Sequence, residues 1–165
     1  MRTISPYELP DNAFHLIDKE WMLVAAGTPE RHNAMTASWG GVGILWNKPV
    51  AFVFIRPQRH TLGFVEAHSS FTLSFFTEDY RSALTLCGTV SGRDCDKIAQ
   101  AGLSPMPFGQ SVAFAEARMV MECTKLYAQN LEQGCFIDTQ VMQTAYPQAD
   151  YHRMFIGEIV QVALR

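Results

Sequence analysis

The side chains with the most chemistry fall in two short runs. Asn33-Ala34-Met35-Thr36-Ala37-Ser38-Trp39 alternates amide and hydroxyl groups with apolar ones, and Arg56-Pro57-Gln58-Arg59-His60-Thr61 gathers two guanidiniums, an imidazole and a hydroxyl. An extended run of the first kind can hydrogen-bond the polar edge of a planar ring and cover its face with Met35 or Trp39. The second kind offers charge-assisted donors to an anion, above all where a helix begins and its first N–H groups are free. Together they describe a pocket for a flat aromatic ligand carrying a phosphate. Each run also has a plainer reading. Thr36 to Trp39 suits a polar edge strand, and the arginines suit a solvated loop with Thr61 as a helix cap.

Competing signals are weaker. Gly41-Val42-Gly43-Ile44-Leu45-Trp46 opens like a dinucleotide fingerprint but has Trp at the third glycine, and Pro49 follows instead of a helix. Gly41 and Gly43 therefore read as strand glycines that allow bending, while Gly40 leaves open a close approach to a ligand. The five histidines, His15, His32, His60, His68 and His152, show no metal-ligand spacing, so no metal site is expected. His60 lies within the basic run, and His152 follows Asp150-Tyr151. Cys87 reads as a buried structural thiol, and Ser38 lacks a nucleophile elbow. Arg93 and Lys97, after Ser91-Gly92, are placed to add charge to an anion site.

The elements that must position these residues are mostly strands. Trp21 to Ala26, Thr36 to Trp46 and Val50 to Ile55 read as strands, the last buried on both faces. Phe71, Leu73 and Phe75 alternate with Thr72 and Ser74, and strands return over Ala113 to Tyr127, Cys135 to Thr144 and Met154 to Leu164. Short helices are expected over Thr61 to Ala67 with Thr61 as cap, over Asp79 to Leu86 with Gly88 beyond its end, and over Asp94 to Ala101 before Gly102. The segment up to Asp11-Asn12 is rich in turn formers and is expected to wrap the surface. Met119 and Met121 belong to the core. Helices do not alternate regularly with strands, which favours an antiparallel barrel with helical insertions over a doubly wound sheet.

Residues 1–165 fit a single domain able to bury a sizeable core. The charged fraction, 18%, is low enough to expect a partner over part of the surface, and the net charge of −3 gives nucleic acid no general attraction. No run of about 18 apolar residues is present, so no membrane partner is expected. Cys87, Cys95, Cys123 and Cys135 contain no C-x-x-C, and no apolar leader follows Met1-Arg2. Reduced thiols in a cytoplasm are the expectation.

In order, the motifs resemble the flavin reductase-like, FMN-binding split-barrel family, particularly its flavoredoxin-like branch. They are Asn33-x-Met35-Thr36-x-Ser38-Trp39-Gly40, Trp46-x-Lys48-Pro49-Val50 and Arg56-Pro57-x-Arg59-x-Thr61. Cys87-Gly88-Thr89-x-Ser91-Gly92-Arg93-Asp94 with Lys97, Asp150-Tyr151-His152-Arg153-Met154 and Ile156-Gly157-Glu158-Ile159 continue the series. The resemblance implies a mainly β, Greek-key split β-barrel with six strands and short helical insertions, usually a homodimer with FMN near the subunit interface. It implies an FMN-binding site drawn from Asn33, Met35, Thr36, Ala37, Ser38 and Trp39 along the flavin. Arg56, Pro57, Arg59, His60 and Thr61, with Ser91, Gly92 and Lys97, belong to its phosphate side. The expected activity is that of an NAD(P)H-dependent flavin reductase, or of flavoredoxin-like electron transfer to a small-molecule or protein acceptor. NADH or NADPH is the expected donor, and no catalytic residue is assigned beyond the candidate His152. A non-enzymatic FMN electron carrier and a cofactor-less barrel scaffold are the alternatives.

Overall fold

The computed structural model describes residues Met1–Arg165. Strand β1 (Arg2–Ile4) leads through a short helix α1 (Ala13–His15) into β2 (Met22–Gly27), β3 (His32–Ala37), β4 (Gly40–Leu45) and β5 (Lys48–Ile55). Helix α2 (His60–Ala67) precedes β6 (Ser70–Phe75), and α3 (Arg81–Thr89) and α4 (Lys97–Gln100) follow. A hairpin of β7 (Pro105–Phe108) and β8 (Ser111–Phe114), long β9 (Met119–Asn130), α5 (Thr139–Ala145) and long β10 (Arg153–Leu164) complete the chain. Apart from the β7–β8 hairpin, the strands form one eight-stranded sheet in the order β3-β2-β6-β9-β10-β5-β4, with β1 on β10. All its pairings are antiparallel.

The two edges of that order, β3 and β4, are consecutive in the chain. Only Ser38 and Trp39 connect them. Three Cα–Cα steps reach at most about 11 Å, so the sheet must curl until its edges meet. The result is a barrel with a split, and the split lies at Ser38–Trp39.

Alternation along the strands builds two apolar clusters. Met22, Val24 and Ala26 of β2, Ala51, Val53 and Ile55 of β5, and Phe71, Leu73 and Phe75 of β6 fill the barrel interior. Leu23 and Ala25 on the opposite face of β2 pack with Leu84, Cys87, Ile98 and Phe114 in a second cluster beneath α3, α4 and the hairpin. This outer layer explains why β6 is buried at every position although its sequence alternates. Thr72 of β6 is hidden and donates to the Val112 carbonyl of β8. Two bulges, at Leu126 of β9 and Val160 of β10, shift the register and bend the long pair.

The structure differs from the sequence expectations at several places. The strand expected over Thr36 to Trp46 is two strands, because the chain turns at the split. Strand β5 is fully buried only on its inner face; Phe52 and Phe54 are half-buried outside. The cap of α2 is Arg59, not Thr61, and Thr61 lies inside the helix. Helix α3 begins after a 3-10 turn over Glu78–Tyr80 and contains Gly88, which lets it rest on β3: a Cβ there would stand 3.3 Å from that of Thr36. Helix α4 is shorter than expected because the Asp96 carboxylate caps it at Ala99. The chain breaks between Phe114 and Met119, so Ala113 to Tyr127 is not one strand. The segment Cys135 to Thr144 is helical rather than a strand; Asp138 caps α5 through the N–H groups of Gln140 and Val141. The N-terminal segment contributes β1 to the sheet.

Candidate functional site

Two adjoining cavities lie beside the split and share Met35, Arg56 and Arg59. The first, of about 150 Å³, is walled by the Met35–Trp39 backbone run, Phe54 and His152. Met35 and Ala37 are buried, whereas Trp39 is 50% exposed. The Thr36 hydroxyl donates to the Leu84 carbonyl of α3, which ties the outer edge of β3 to the helical layer. Because β3 is an edge strand, its free backbone donors and acceptors remain available to a ligand. The Trp39 and His152 rings are 5.2 Å apart and tilted, and Phe54 meets His152 edge-on at 6.5 Å. This cavity is aromatic on one side and hydrogen-bonding on the other.

The second cavity, of about 380 Å³, opens at the start of α2 and is lined by His60, Thr61, Ser91, Gly92 and Lys97. No side chain caps α2, so the first N–H groups of the helix are free of an acceptor there. Lys97 is only 3% exposed. Its Nζ donates to the Cys87 carbonyl at 2.9 Å and to the Val90 carbonyl at 3.0 Å. An ammonium carries three N–H donors, which leaves one for the cavity. Burial holds the Lys97 amine below the usual lysine range, and the neighbouring Arg59 charge acts in the same direction. Arg59 donates to the Gly88 carbonyl through Nη1, leaving the rest of its fork free. The same positive field, after burial, keeps His60 below the ordinary imidazole range through Arg93 and Lys97. An anion is what these groups lack.

Asn33 supports this arrangement from behind. It is buried and donates through Nδ2 to the Thr61 hydroxyl at 3.0 Å. A Cβ on Gly92 would fall 2.3 Å from Asn33 Oδ1, so glycine lets the Ser91–Gly92 loop close over the amide. Gly40 is explained similarly without a ligand: its Cβ would meet the Phe52 carbonyl oxygen at 2.5 Å.

Arg56 has a different task from Arg59. Its guanidinium pairs with the Asp150 carboxylate, donates to the Ala145 carbonyl at 2.9 Å and lies 5.2 Å from the centre of the Tyr146 ring. Gln58 also donates to Asp150, at 2.9 Å. Tyr146 Oη lies 2.7 Å from His152 Nδ1. Arg56 thus fastens the end of α5 and the Asp150–His152 segment to the rim. Sequence separation conceals this; Arg56 and Asp150 are 94 positions apart.

His152 is 7% exposed, and burial, helped by the Arg56 charge, lowers its pKa to about 4. It is neutral at physiological pH. Its folded pKa lies below the value of about 6.5 expected for an unfolded chain. The unfolded state therefore takes up the proton first as pH falls. Stability linked to His152 is complete above about pH 6.5 and is lost progressively toward pH 4, by about 3 kcal/mol. A His152→Gln chain should lose much less stability over that interval, measured by urea unfolding at stepped pH.

Of the residues singled out from sequence, Met35 to Trp39, Arg56 and Arg59 line the first cavity, and Arg59, His60, Thr61, Ser91, Gly92 and Lys97 line the second. Asn33 stands behind them, and Pro57 is an exposed turn residue lining neither. Sequence reading missed Phe54, Thr89, Val90 and Tyr146. The alternation of β5 puts Phe54 on its outer face, which was a readable signal; the Asp150–His152 motif lies close to Tyr146 in sequence but did not single out Tyr146 itself.

The flavin reductase-like domain pattern matches residues 14–165. The chain belongs to the flavin reductase-like family. Members of known structure share its fold. The flavoredoxin of Desulfovibrio vulgaris (Miyazaki F) is 24% identical, with a TM-score of 0.68 over 88% of this chain and 69% of its own. An FMN-binding protein from Thermus thermophilus, solved with 1-cyclohex-2-enone, is 24% identical, with a TM-score of 0.68 over 99% of this chain and 79% of its own. The FMN-binding domain of a flavin reductase-like enzyme from Shewanella baltica OS155 is 17% identical, with a TM-score of 0.70 over 98% of this chain and 75% of its own. No curated protein sequence matches. The family's barrel is the mainly β, antiparallel split barrel expected from the motifs. No helix is long and apolar enough to cross a membrane.

Proposed function

We propose that this chain binds FMN and works as an oxidoreductase, taking electrons from NADH or NADPH and passing them to a small-molecule or protein acceptor. The observation that carries the FMN assignment is the buried Lys97 amine, with a donor to spare, facing a cavity that adjoins the aromatic one. A phosphate there meets Lys97, the Arg59 fork and the first N–H groups of α2, all preorganised before binding. Thr61 and Ser91 add hydroxyl donors. The ring system then lies along Met35–Trp39, whose backbone reads its polar edge. Bound FMN supplies the two-electron chemistry, while the protein orients it and tunes its potential.

Neutral His152 shapes the open side of the ring and keeps a charge away from it. No side chain is assigned as acid or base, since hydride transfer needs neither. The Arg56–Asp150 pair holds this wall in place.

A second copy of the chain completes the surface in this proposal. Trp39, Ile44, Trp46 and Tyr127 are exposed near the β4 edge, and an apolar edge strand calls for cover. Sedimentation should give a dimer at micromolar concentration; a monomer at every concentration would remove this part.

The central test uses purified protein and FMN. Tight binding with quenched flavin fluorescence is expected, followed by bleaching with NADH or NADPH without air. Binding without bleaching would make the chain a carrier rather than a reductase. Failure to bind added FMN would leave a scaffold and overturn the proposal.

A further inference from the structure

The open side of the first cavity turns on the place of one hydrogen atom. His152 lines that cavity and is buried, and its Nδ1 lies 2.7 Å from Tyr146 Oη. Nε2, the other ring nitrogen, has no hydrogen-bond partner in the protein and yet is not sealed off, so it faces the cavity. A neutral imidazole carries its proton on one nitrogen only, and the hydrogen bond at one nitrogen decides the state of the other. The wall therefore presents either an N–H donor or a bare lone pair. A donor takes a ligand's carbonyl oxygen; a lone pair takes a hydroxyl or an amine.

Tyr146 is placed to settle this. Burial holds its phenol above the usual tyrosine range, so the hydroxyl keeps its hydrogen at physiological pH. His152 Nδ1 is the one protein group within reach of that hydroxyl. If Nδ1 donated instead, the phenol hydrogen of a buried side chain would be left without an acceptor in the protein. The charged groups around His152 are Arg56, Asp150 and Arg59. Arg56 is engaged with Asp150 and the Ala145 carbonyl, and Arg59 with the Gly88 carbonyl, so none of them bonds either ring nitrogen.

Both partners are fixed. The Arg56 guanidinium lies 5.2 Å from the centre of the Tyr146 ring, and the rings of Tyr151 and Phe136 stand 5.1 and 5.7 Å away. The Tyr146 N–H donates to the Met142 carbonyl at 2.9 Å and closes α5, while its carbonyl accepts from the Ala149 N–H at 3.0 Å. Ala149 has φ +54°, a left-handed conformation that turns the chain back and brings position 152 beside position 146. The His152 carbonyl accepts from the Leu131 N–H at 2.8 Å, which ties the histidine to the end of β9.

We propose that Tyr146 is a positioning residue: it donates to His152 Nδ1, holds the imidazole as the Nε2–H tautomer, and makes the cavity wall an uncharged donor for a carbonyl oxygen of the small molecule that meets the flavin. This rests on the reading of Met35–Trp39 as the flavin edge. One hydroxyl, outside the cavity, thus sets whether the site selects ligand acceptors or ligand donors.

Heteronuclear NMR of the isotope-labelled whole protein, without flavin, reads the tautomer directly, because protonated and bare ring nitrogens resonate far apart. Only the Nε2–H form of His152 is expected at neutral pH; the Nδ1–H form overturns the proposal. Tyr146→Phe keeps the ring and removes the hydroxyl, and the Nδ1–H form should then rise to about a tenth of the population or more. An unchanged ratio means that another group holds the imidazole, and also overturns the proposal. The ligand arm uses FMN-loaded protein with acetophenone and ethylbenzene, which differ in the carbonyl oxygen, and follows the flavin absorbance. Tyr146→Phe should weaken acetophenone about threefold and leave ethylbenzene unaltered. Equal losses for the two make Tyr146 a packing residue and overturn the donor wall. Failure of FMN to bind while both tautomer results hold overturns the FMN reading instead, and leaves Tyr146 as the group that orients His152.

Discussion

Lys97→Met should bind FMN about 30- to 100-fold more weakly than the unaltered chain and riboflavin within about threefold. The difference arises because only FMN carries the anion. A charge-assisted hydrogen bond contributes about 1.5–3 kcal/mol, and tenfold in affinity corresponds to about 1.4 kcal/mol. Lys97 is the deepest cation of the site, so little water competes for its spare donor. The substitution also strands the carbonyls of Cys87 and Val90, so a lower melting temperature accompanies it. Comparing two flavins on the same variant cancels that general loosening. Arg59→Ala should act in the same direction with smaller size, since Arg59 is less buried. Equal losses for FMN and riboflavin would detach Lys97 from the phosphate. Fluorescence titration with both flavins decides it.

Gly157→Ala should lower stability by about 2–3 kcal/mol, which for a chain of this size moves the melting temperature by about 4–10 °C. Gly157 lies on β10 next to the Leu126 bulge of β9. A Cβ there would stand 2.8 Å from the Cβ of Cys123 and 2.9 Å from two atoms of the Phe71 ring. Both neighbours are fully buried, and Cys123 belongs to the paired strand. The ring cannot turn aside without displacing other core residues, and the β9 backbone cannot retreat without breaking its ladder. Calorimetry of the FMN-free protein reads the change. An unaltered melting temperature would show that β9 and β10 part easily at the bulge.

Legibility in the sequence followed physical range. Strands β2, β5, β6 and β10 announce themselves because each buries side chains in alternation or in short runs, and burial is written in residue type. Helix α2 was placed nearly correctly, yet its cap was assigned to Thr61. A threonine at that spacing looks like a cap; only the fold shows that Asn33, 28 positions earlier, claims its hydroxyl. The split is less visible still. Nothing in Ser38-Trp39 distinguishes a strand interior from a crossing between sheet edges, because the sheet order decides it. Helix α5 was mistaken for a strand through its apolar residues, although Asp138 ahead of Val141 offered a readable cap. At the site, the anion groups cluster in sequence around Arg59 and Lys97 and were found. Arg56 was expected at the phosphate, whereas the structure pairs it with Asp150 and Tyr146, a contact between segments far apart that the sequence does not reveal.

The split in the barrel has a consequence for how binding and unfolding are observed. Strands β9 and β10 have neighbours on both sides, so their amide protons exchange with solvent only when much of the molecule opens. The outer edges of β3 and β4 have no neighbouring strand, so the amides facing outward there exchange without opening the sheet. A ligand held between Met35–Trp39 and Arg59 lies along the β3 edge without adding to the central ladder. Deuterium uptake therefore separates two quantities that a melting curve merges: the β9–β10 amides measure the lifetime of the fold, and the free edge of β3 measures how often the site beside it is occupied.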